Sequence, residues 1–356
     1  MKILVQKFGG TSVADLECQK KVLAKVKRGL DNGYKVVAVL SARHGDTNNL
    51  LALAREWSAQ PDPAECDSLV STGEQVSISL FTMLLKDNGI KARSLLAWQI
   101  PLITDDSFGS ARIESIDGEA IRKLFNDYDV LVIAGFQGKT ADGRITTLGR
   151  GGSDTSAVAI AAVLDSCECE IYTDVDGVYT TDPNVCKSAR KIDKISYDEM
   201  LEMASNGSKV MQSRSVEFAK KFGVVFEVRN SMNNNPGTIV QEETPSMEAV
   251  VIRGISIDRN QARVTITGIP DQIGYTAQIL GALAEAEINL DMILANTAHD
   301  GYVRQSFTMP SNELGRAQAA LKPVMAALGS TVKVETEAGL AKLSLVGIGM
   351  RSHSGV

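Results

Sequence analysis

The chain has 356 residues, of which 44 % are apolar, and its 37 lysines and arginines against 43 aspartates and glutamates leave a net charge of −6. This length predicts two or three domains, and the composition is that of a folded globular protein. No apolar run reaches the roughly 18 residues of a membrane span, and because the apolar stretch at the N-terminus is short we expect no signal peptide. The mild acidity, without a run of lysine and arginine, argues against nucleic acid as a partner. We therefore expect neither a nucleic-acid nor a membrane partner.

The cysteines and histidines carry little chemistry in this chain. Five cysteines are scattered without a CxxC pair, which is typical of reduced thiols in a cytoplasmic protein. Three histidines lie far apart in the sequence, so we predict neither a metal-ligating cluster nor catalysis that depends on imidazole.

Strands and helices alternate through the first part of the chain. Apolar runs predict strands, and helical periodicity predicts the segments between them. The predicted strands are 2–8, 34–42, 130–136 and 224–231, and the predicted helices are 15–30, 48–58, 67–87, 117–127 and 154–165. This alternation predicts an α/β fold of three layers with a largely parallel central sheet.

The pattern changes after a polar, Pro- and Gly-containing stretch at 233–246. The elements that follow are predicted in the order strand 262–270, helix 274–285, strands 288–295 and 304–310, helix 311–328 and strand 331–335. This βαββαβ order is that of a small ferredoxin-like unit. Residues 340–350 start what reads as a second such unit, and because the sequence stops at Val356 we expect a further C-terminal piece.

Three loops at predicted strand ends carry the candidate chemistry. Gly9, Gly10 and the two residues after them precede a helix, where main-chain N–H groups can approach an anion, and Lys7 ends the preceding strand. Residues 149–154 (GRGGSD) form a second anion cradle that contains an arginine suited to a carboxylate. The third loop, 173–183, is dense in carboxylates and hydroxyls beside an aromatic ring. Such loops converge on a ligand crevice at the carboxyl ends of parallel strands.

Seven motifs are spread over essentially the whole chain. They are KFGGTS (7–12), STGEQVS (71–77), AGFQG (134–138), ITTLGRGGSDTSA (145–157), YTDVDGVYTTDP (172–183), RSVEFA (214–219) and GMRSHSGV (349–356). With these motifs the chain resembles the aspartokinases. These enzymes have the amino-acid kinase fold and C-terminal ACT units. The resemblance implies ATP-dependent phosphorylation of the β-carboxylate of L-aspartate, the first committed step toward lysine, threonine and methionine. It also implies ATP and Mg²⁺, a cytoplasmic location, a homodimer or higher oligomer formed through the ACT units, and lysine or threonine as an effector. The implied division is 1–245 for catalysis, 262–336 for one ACT unit, and 247–261 with 337–356 for part of a second.

The resemblance also assigns roles to residues. By this resemblance, Lys7, Gly9 and Gly10 stabilise the charge on the transferred phosphoryl group, and Asp154 orients Lys7. The implied aspartate pocket consists of Ser41, Thr47, Glu74, Arg150, Gly151, Gly152 and Ser153, with Arg150 on the α-carboxylate and Glu74 on the α-ammonium. The implied nucleotide contacts are Lys7, Phe8, Gly9, Gly10, Thr173, Asp174, Tyr179, Asn184 and Lys209. The implied regulatory positions are Asp271, Gly274, Asp291 and Ala295.

Several residues depart from the pattern of the family. Asn184 stands where an arginine is frequent near the nucleotide phosphates, which predicts a weaker affinity for ATP. Arg43 and His44 add bulk and charge beside the implied aspartate pocket. Three implied effector positions also differ from the family pattern: the turn 271–274, Ala295 and the triplet 302–304. These differences predict weakened or altered inhibition by amino acids.

Two other functions are consistent with parts of the sequence. One is an acyl-phosphate kinase of the same fold that acts on glutamate or acetylglutamate, against which Arg150 and Glu74 argue. The other is a non-catalytic amino-acid sensor, which would require the loss of charged residues such as Lys7, Asp154 and Asp174 that are still present.

The scarcity of histidine agrees with phosphorylation of an acid. A carboxylate nucleophile has a pKa of about 3.9 and is already ionised at neutral pH, so it needs no general base.

Overall fold

The computed structural model describes residues 1–164, 168–207, 210–244, 252–296 and 301–347. The chain divides into two compact units, Met1–Ile255 with Leu345–Val356 and Ser256–Ser344. In the described part of the chain, no helix combines the length and the apolar character that crossing a bilayer requires.

The first unit is built on an eight-stranded sheet. Its strands are β1 (Ile3–Phe8), β2 (Lys35–Leu40), β3 (Ala92–Leu95), β6 (Val130–Ala134), β9 (Glu168–Thr173), β10 (Lys194–Ser196), β11 (Phe226–Asn230) and β12 (Thr238–Gln241). They lie in the order β10-β12-β11-β9-β1-β2-β6-β3. Pairing is parallel from β11 to β3, and β12 reverses the direction. The expected parallel sheet is therefore confirmed.

Eight α-helices in the described part of this unit pack against this sheet or beside it. They are α1 (Leu16–Asp31), α2 (Asp46–Trp57), α3 (Pro63–Val70), α4 (Thr72–Asp87), α5 (Gly118–Leu124), α6 (Gly152–Val163), α7 (Tyr197–Ser205) and α8 (Ser213–Phe222). Successive strand residues face opposite sides of a sheet, and both sides are apolar here: Val37 and Val39 belong to one buried cluster, whereas Val36, Ala38 and Leu40 belong to another. Burial on both faces explains the near-continuous apolar runs of these strands.

The prediction of one helix over 67–87 is wrong. The structure has two helices there, because α3 ends at Val70 and α4 begins at Thr72. Helix α3 starts earlier than predicted, with Pro63 in its first turn and the Asp62 side chain accepting hydrogen bonds from the amides of Ala64 and Glu65. The apolar periodicity of the two helices runs on across the break, so the sequence pattern does not mark it.

A second, four-stranded sheet was not predicted from the sequence. Its strands are β4 (Leu102–Thr104), β5 (Ile113–Ile116), β7 (Gln137–Lys139) and β8 (Ile145–Thr147), in the order β5-β4-β7-β8. Each strand has only three or four residues, which is too short for a period-2 pattern to stand out. Strand β8 matters for the site because it leads directly into the loop that carries Arg150.

The second unit has the predicted order of elements. It contains β13 (Gly254–Pro270), α9 (Tyr275–Glu285), β14 (Ile293–Ala295), β15 (Tyr302–Pro310), α10 (Leu314–Leu328) and β16 (Lys333–Val346), with sheet order β14-β15-β13-β16. Its core includes Val264, Ile279, Phe307 and Leu321. The strand predicted at 331–335 and the start of the second unit predicted at 340–350 belong to one continuous strand, Lys333–Val346. Residues 348–350 of that prediction lie outside the described residues.

Candidate active site

Three neighbouring parallel strands bring the candidate residues to one edge of the large sheet. Lys7 lies near the end of β1, whose register with β2 pairs Phe8 with Leu40. Strand β2 in turn pairs Leu40 with Ala134 at the end of β6. The loops that follow these strands therefore leave the sheet at the same edge, where open α/β sheets bind their ligands.

A cavity of about 220 Å³ opens at this edge. Most residues of the predicted catalytic centre and aspartate pocket line it. The lining residues are Lys7, Ser41, Ala42, Thr47, Glu74, Phe136, Gly149, Arg150, Gly151, Gly152, Ser153 and Asp154. Lys7 and Arg150 thus open onto one shared cavity.

Lys7 and Asp154 form an ion pair across the cavity wall. The Lys7 Nζ lies 2.6 Å from Asp154 Oδ1, and the two side chains are only 10 % and 11 % exposed. Asp154 is in the first turn of α6, where the helix dipole favours a negative charge. The pair fixes the ammonium group at a place from which most water is excluded, and there a charge acts more strongly than in bulk water.

Glu74 is an almost completely buried carboxyl group in the cavity wall. It is 2 % exposed, its Oε1 accepts a hydrogen bond of 3.0 Å from the main-chain amide of Ala42, and its Oε2 has no partner among the described residues. Burial raises the pKa of Glu74 to about 8, and the nearby charge of Asp46 adds to the increase while the Ala42 amide opposes it. A buried carboxyl oxygen without a partner is suited to receive a cationic group of a ligand.

Hydroxyl groups and a glycine-rich loop complete the cavity. Ser41 Oγ and Ser153 Oγ are 2.9 Å apart. Gly149 and Gly151, on either side of Arg150, have φ angles of +75° and +70°, which side chains larger than glycine rarely adopt. Arg150 is exposed and forms no ion pair with any described carboxylate, so its guanidinium is available to an acidic ligand.

Phe136 and Ala42 are lining residues that sequence reasoning missed. Phe136 directly follows β6 and has a φ of +68°, a conformation that costs a non-glycine residue roughly 1–2 kcal/mol. Strain of this kind is concentrated at functional sites. The available signal was the position of Phe136 within AGFQG, right after a buried strand.

Gly9 and Gly10 lie beside the cavity rather than in its lining. A Cβ built on Gly9 would be 3.5 Å from Lys7 Nζ, so the main chain at Gly9 runs close to the ammonium. A Cβ on Gly10 would lie 2.8 Å from the Ala42 carbonyl oxygen, which explains the need for glycine there. The Phe8 side chain is fully buried and stacks on Tyr172 at 4.8 Å, so only its main chain is left for a ligand.

The other predicted nucleotide contacts lie on β9 and the loop after it. Thr173 ends β9, which pairs directly with β1, and its carbonyl accepts a 2.9 Å hydrogen bond from the Ser231 amide. Tyr179 forms an isolated bridge with Lys191, and Asn184 is exposed. Lys209 lies outside the described residues. Thr173, Asp174, Tyr179 and Asn184 do not line the cavity, and their role toward a nucleotide stays a prediction.

The departures Arg43 and His44 do not line the cavity either. Arg43 Nε pairs with Asp46 Oδ2 at 2.9 Å, and the His44 amide donates to the Gly10 carbonyl.

In the second unit, Asp271 and Gly274 flank the turn before α9, and Ala295 ends β14. The Asp291 carboxylate is paired with Lys342. The regulatory role of these four positions stays a prediction.

Comparison with known proteins agrees with this fold and site. Residues 2–230 match the amino acid kinase family. Aspartate kinase from Pseudomonas putida is 49 % identical over 357 residues, covering 100 % of this chain and 87 % of that protein. Aspartokinase from Helicobacter pylori is 45 % identical over 358 residues, covering 99 % and 88 %. The crystal structure of E. coli aspartokinase III in complex with aspartate and ADP superimposes with a TM-score of 0.78 at 29 % identity, covering 100 % of this chain and 90 % of that chain.

The parallel sheet and the cavity at its edge are those of a phosphotransferase of the amino acid kinase family, and the family match covers most of the first unit. At this level of identity over the full chain, the protein belongs, within that family, to the aspartate kinases.

Proposed function

We propose that this protein transfers the γ-phosphoryl group of ATP to the β-carboxylate of L-aspartate, giving 4-phospho-L-aspartate and ADP. A carboxylate oxygen forms the new bond to phosphorus, the bond to the β-phosphate oxygen breaks, and no proton has to be removed from the nucleophile. The observation that carries the proposal is that Lys7, Glu74 and Arg150 line one cavity. The Lys7 ammonium, the Glu74 carboxyl group and the Arg150 guanidinium match a phosphoryl group, an ammonium and a carboxylate, which are the parts that the reaction brings together.

Lys7 is proposed to neutralise the charge on the transferred phosphoryl group. The reaction needs little covalent chemistry from the protein, so positioning and charge stabilisation carry the catalysis. Asp154, 2.6 Å from the ammonium, orients Lys7. The main-chain amides of Gly9 and Gly10, close to Lys7, supply further donors where charge develops.

Aspartate is proposed to be held by both of its α-substituents. Arg150 takes the α-carboxylate, for which a guanidinium offers two parallel hydrogen bonds. Glu74 takes the α-ammonium through its unpartnered Oε2. Ser41, Thr47 and Ser153 complete the pocket with hydroxyl groups, and the main chain of Gly151 and Gly152 forms part of its wall.

The nucleotide is proposed to lie along β9 and the loop after it, in contact with Lys7, Phe8, Gly9, Gly10, Thr173, Asp174, Tyr179, Asn184 and Lys209. In the described chain, no three side chains of His, Cys, Asp or Glu converge as a metal site. Mg²⁺ is proposed to enter with ATP, because it keeps several waters and is held mainly by substrate phosphates together with one or two carboxylates. When bound, Mg²⁺ would neutralise phosphate charge.

A coupled assay of initial rates tests the reaction and its substrate. We expect ADP release with MgATP and L-aspartate, and at least a tenfold lower rate with L-glutamate, because one extra methylene misplaces the acceptor carboxylate. Hydroxylamine should trap the acyl phosphate as a hydroxamate only when both substrates are present. A preference for glutamate or acetylglutamate would instead support a different acyl-phosphate kinase, and binding of aspartate without ADP release would support a sensor.

The second unit is proposed to regulate the enzyme and to assemble it. Its division into an ACT unit at 262–336 and part of another at 247–261 with 337–356 is part of this proposal. Met292, Ile293 and Leu294, on and next to the edge strand β14, are 45 %, 50 % and 56 % exposed. An exposed apolar edge strand is a surface for pairing with another chain, which supports a homodimer or higher oligomer.

Altered effector positions lead to a prediction about inhibition. We expect L-lysine and L-threonine, titrated separately and together into the steady-state assay, to inhibit weakly, because residues 271–274, Ala295 and 302–304 differ from the resembling enzymes. Strong synergistic inhibition at sub-millimolar concentrations would contradict this prediction. A titration with D-lysine is the matched control for non-specific effects.

A cytoplasmic location is also proposed. Among the described cysteines, Cys18, Cys66 and Cys186 form no disulfide, as expected for a protein in a reducing compartment.

A further inference from the structure

The loop that carries Arg150 needs to be held in place by its surroundings. Gly149 and Gly151 flank Arg150 with φ angles of +75° and +70°. Glycine loses more conformational freedom on ordering than any other residue, so a loop with two of them has many accessible conformations. A guanidinium can accept only a narrow range of positions if it is to bind a carboxylate with two hydrogen bonds.

Asp67 of α3 holds one side of this loop. It is 2 % exposed and does not line the cavity. Its Oδ2 accepts hydrogen bonds from the amides of Thr147 at 2.7 Å and Gly109 at 2.9 Å, and its Oδ1 accepts one of 2.7 Å from Thr147 Oγ1. Thr147 is the last residue of β8, three positions before Arg150. A Cβ on Gly149 would be 2.9 Å from the Gly109 carbonyl oxygen, so Gly109 also packs directly against the loop.

Arg214 of α8 holds the same segment from another helix. Its Nη1 donates to the Leu148 carbonyl at 2.8 Å, and its Nη2 donates to the Ala111 carbonyl at 2.6 Å. The Ala111 amide in turn donates to the Thr147 carbonyl at 2.9 Å. The two residues just before Gly149 are therefore held by two side chains from separate helices. Asp67 of α3 binds Thr147, and Arg214 of α8 binds the Leu148 carbonyl.

We infer that Asp67 and Arg214 are positioning residues that set the affinity of the enzyme for the α-carboxylate of aspartate, by holding the main chain from which Arg150 reaches the cavity. The inference rests on the proposed function, because it assigns Arg150 to that carboxylate. Neither residue touches the cavity, so each acts through the loop. A displacement of about 1 Å in such a group can cost 10²-fold in rate.

Two substitutions of Asp67 test the inference in the full-length enzyme. Asp67→Ala removes all three acceptor contacts, and we expect the KM for aspartate to rise at least tenfold while the KM for ATP changes less than twofold. Asp67→Asn keeps the shape of the side chain. Its amide oxygen can still accept from the amides of Thr147 and Gly109, and its NH₂ group can donate to Thr147 Oγ1. The KM of this variant for aspartate should therefore stay within threefold of the wild type. Calorimetric titration with aspartate alone should show the same order of affinities.

Asp62→Ala is the matched control on the same helix. Asp62 caps α3 through the amides of Ala64 and Glu65 and makes no described contact with the Arg150 loop. This variant should lower the melting temperature but leave the KM for aspartate unchanged. If Asp67→Ala behaves like Asp62→Ala, or raises both KM values equally, the inference is wrong.

Arg214 gives an independent test that remains if Asp67→Ala does not fold. Arg214→Gln should raise the KM for aspartate at least fivefold, and Arg214→Lys, which keeps a donor and the charge, should do so less. An unchanged KM for aspartate in Arg214→Gln would overturn the inference. Wild-type enzyme that fails to phosphorylate aspartate would instead contradict the proposed function, and the two failures are distinguished by assaying the wild type first.

Discussion

Lys7→Ala should abolish aspartate phosphorylation, with kcat reduced by about 10³-fold or more. One preorganised donor in a site that excludes water is worth roughly 10²–10³ in kcat, and Lys7 brings a full charge in addition. Its side chain is only 10 % exposed, so water cannot replace the lost ammonium efficiently. The measurement is the steady-state rate of ADP release at saturating MgATP and aspartate.

The same substitution leaves the Asp154 carboxylate buried without its partner. Breaking a buried ion pair in this way costs about 3–5 kcal/mol, so Lys7→Ala should also unfold at a lower temperature. Lys7→Met combined with Asp154→Asn removes both charges, and we expect this double variant to recover stability without recovering activity. That outcome would separate the catalytic role of Lys7 from its structural role.

Lys20→Ala is the matched control for Lys7→Ala. Lys20 forms an ion pair of the same length, 2.6 Å to Glu17, but both side chains are more than half exposed. Exposed pairs contribute about 0–1 kcal/mol, so stability and activity should both stay near the wild type. Lys7→Ala enzyme that retains a tenth of the wild-type kcat would show that Lys7 does not act on the transferred group.

Glu74→Gln should raise the KM for aspartate by about 10- to 100-fold, with a smaller effect on kcat. A hydrogen bond to a charged group contributes about 1.5–3 kcal/mol, and the substitution removes the charge that receives the α-ammonium. Glu65→Gln is the control, because the Glu65 side chain is 78 % exposed and its partner Arg144 is 3.6 Å away. An unchanged KM for aspartate in Glu74→Gln would remove Glu74 from the pocket.

The raised pKa of Glu74 adds a pH dependence to this prediction. With a pKa of about 8 in the free enzyme, Glu74 is protonated at lower pH, and binding an ammonium requires the proton to leave. We expect kcat/KM for aspartate in the wild type to increase with pH up to about 8 and then level off. The profile of Glu74→Gln should lack this increase, and calorimetry in buffers of different ionisation enthalpy should detect proton release on binding to the wild type.

Stability of the unliganded protein should depend on pH in the opposite direction. Between the ordinary pKa of 4.5 and about 8, the folded state keeps a proton on Glu74 that the unfolded state has lost. Because the folded state then binds more protons, stability falls as pH rises through this window. Glu74→Gln should therefore melt at a higher temperature than the wild type at pH 8.5 and close to it at pH 4.5.

The sequence alone was sufficient for the elements with long, strongly patterned runs. Strands such as β1, β2 and β6 are buried on both faces, so their apolar runs identify them, and the order of elements in the second unit follows from periodicity and turn residues. The glycine-rich loops were also readable, because main-chain approach to an anion demands glycine. Their roles toward aspartate and ATP came from resemblance to a family, and periodicity contributed nothing to those roles.

Only the tertiary structure decided which distant groups meet and how strongly burial changes them. No local pattern brings Asp67 to the amide of Thr147 or places Phe136 in the cavity, since these contacts join elements that are far apart in sequence. The near-neutral pKa of Glu74 likewise depends on packing around a carboxyl group that would be an ordinary surface acid on an exposed helix. Local sequence sets backbone preferences and apolar faces, whereas desolvation and long-range hydrogen bonds arise only when the chain has packed.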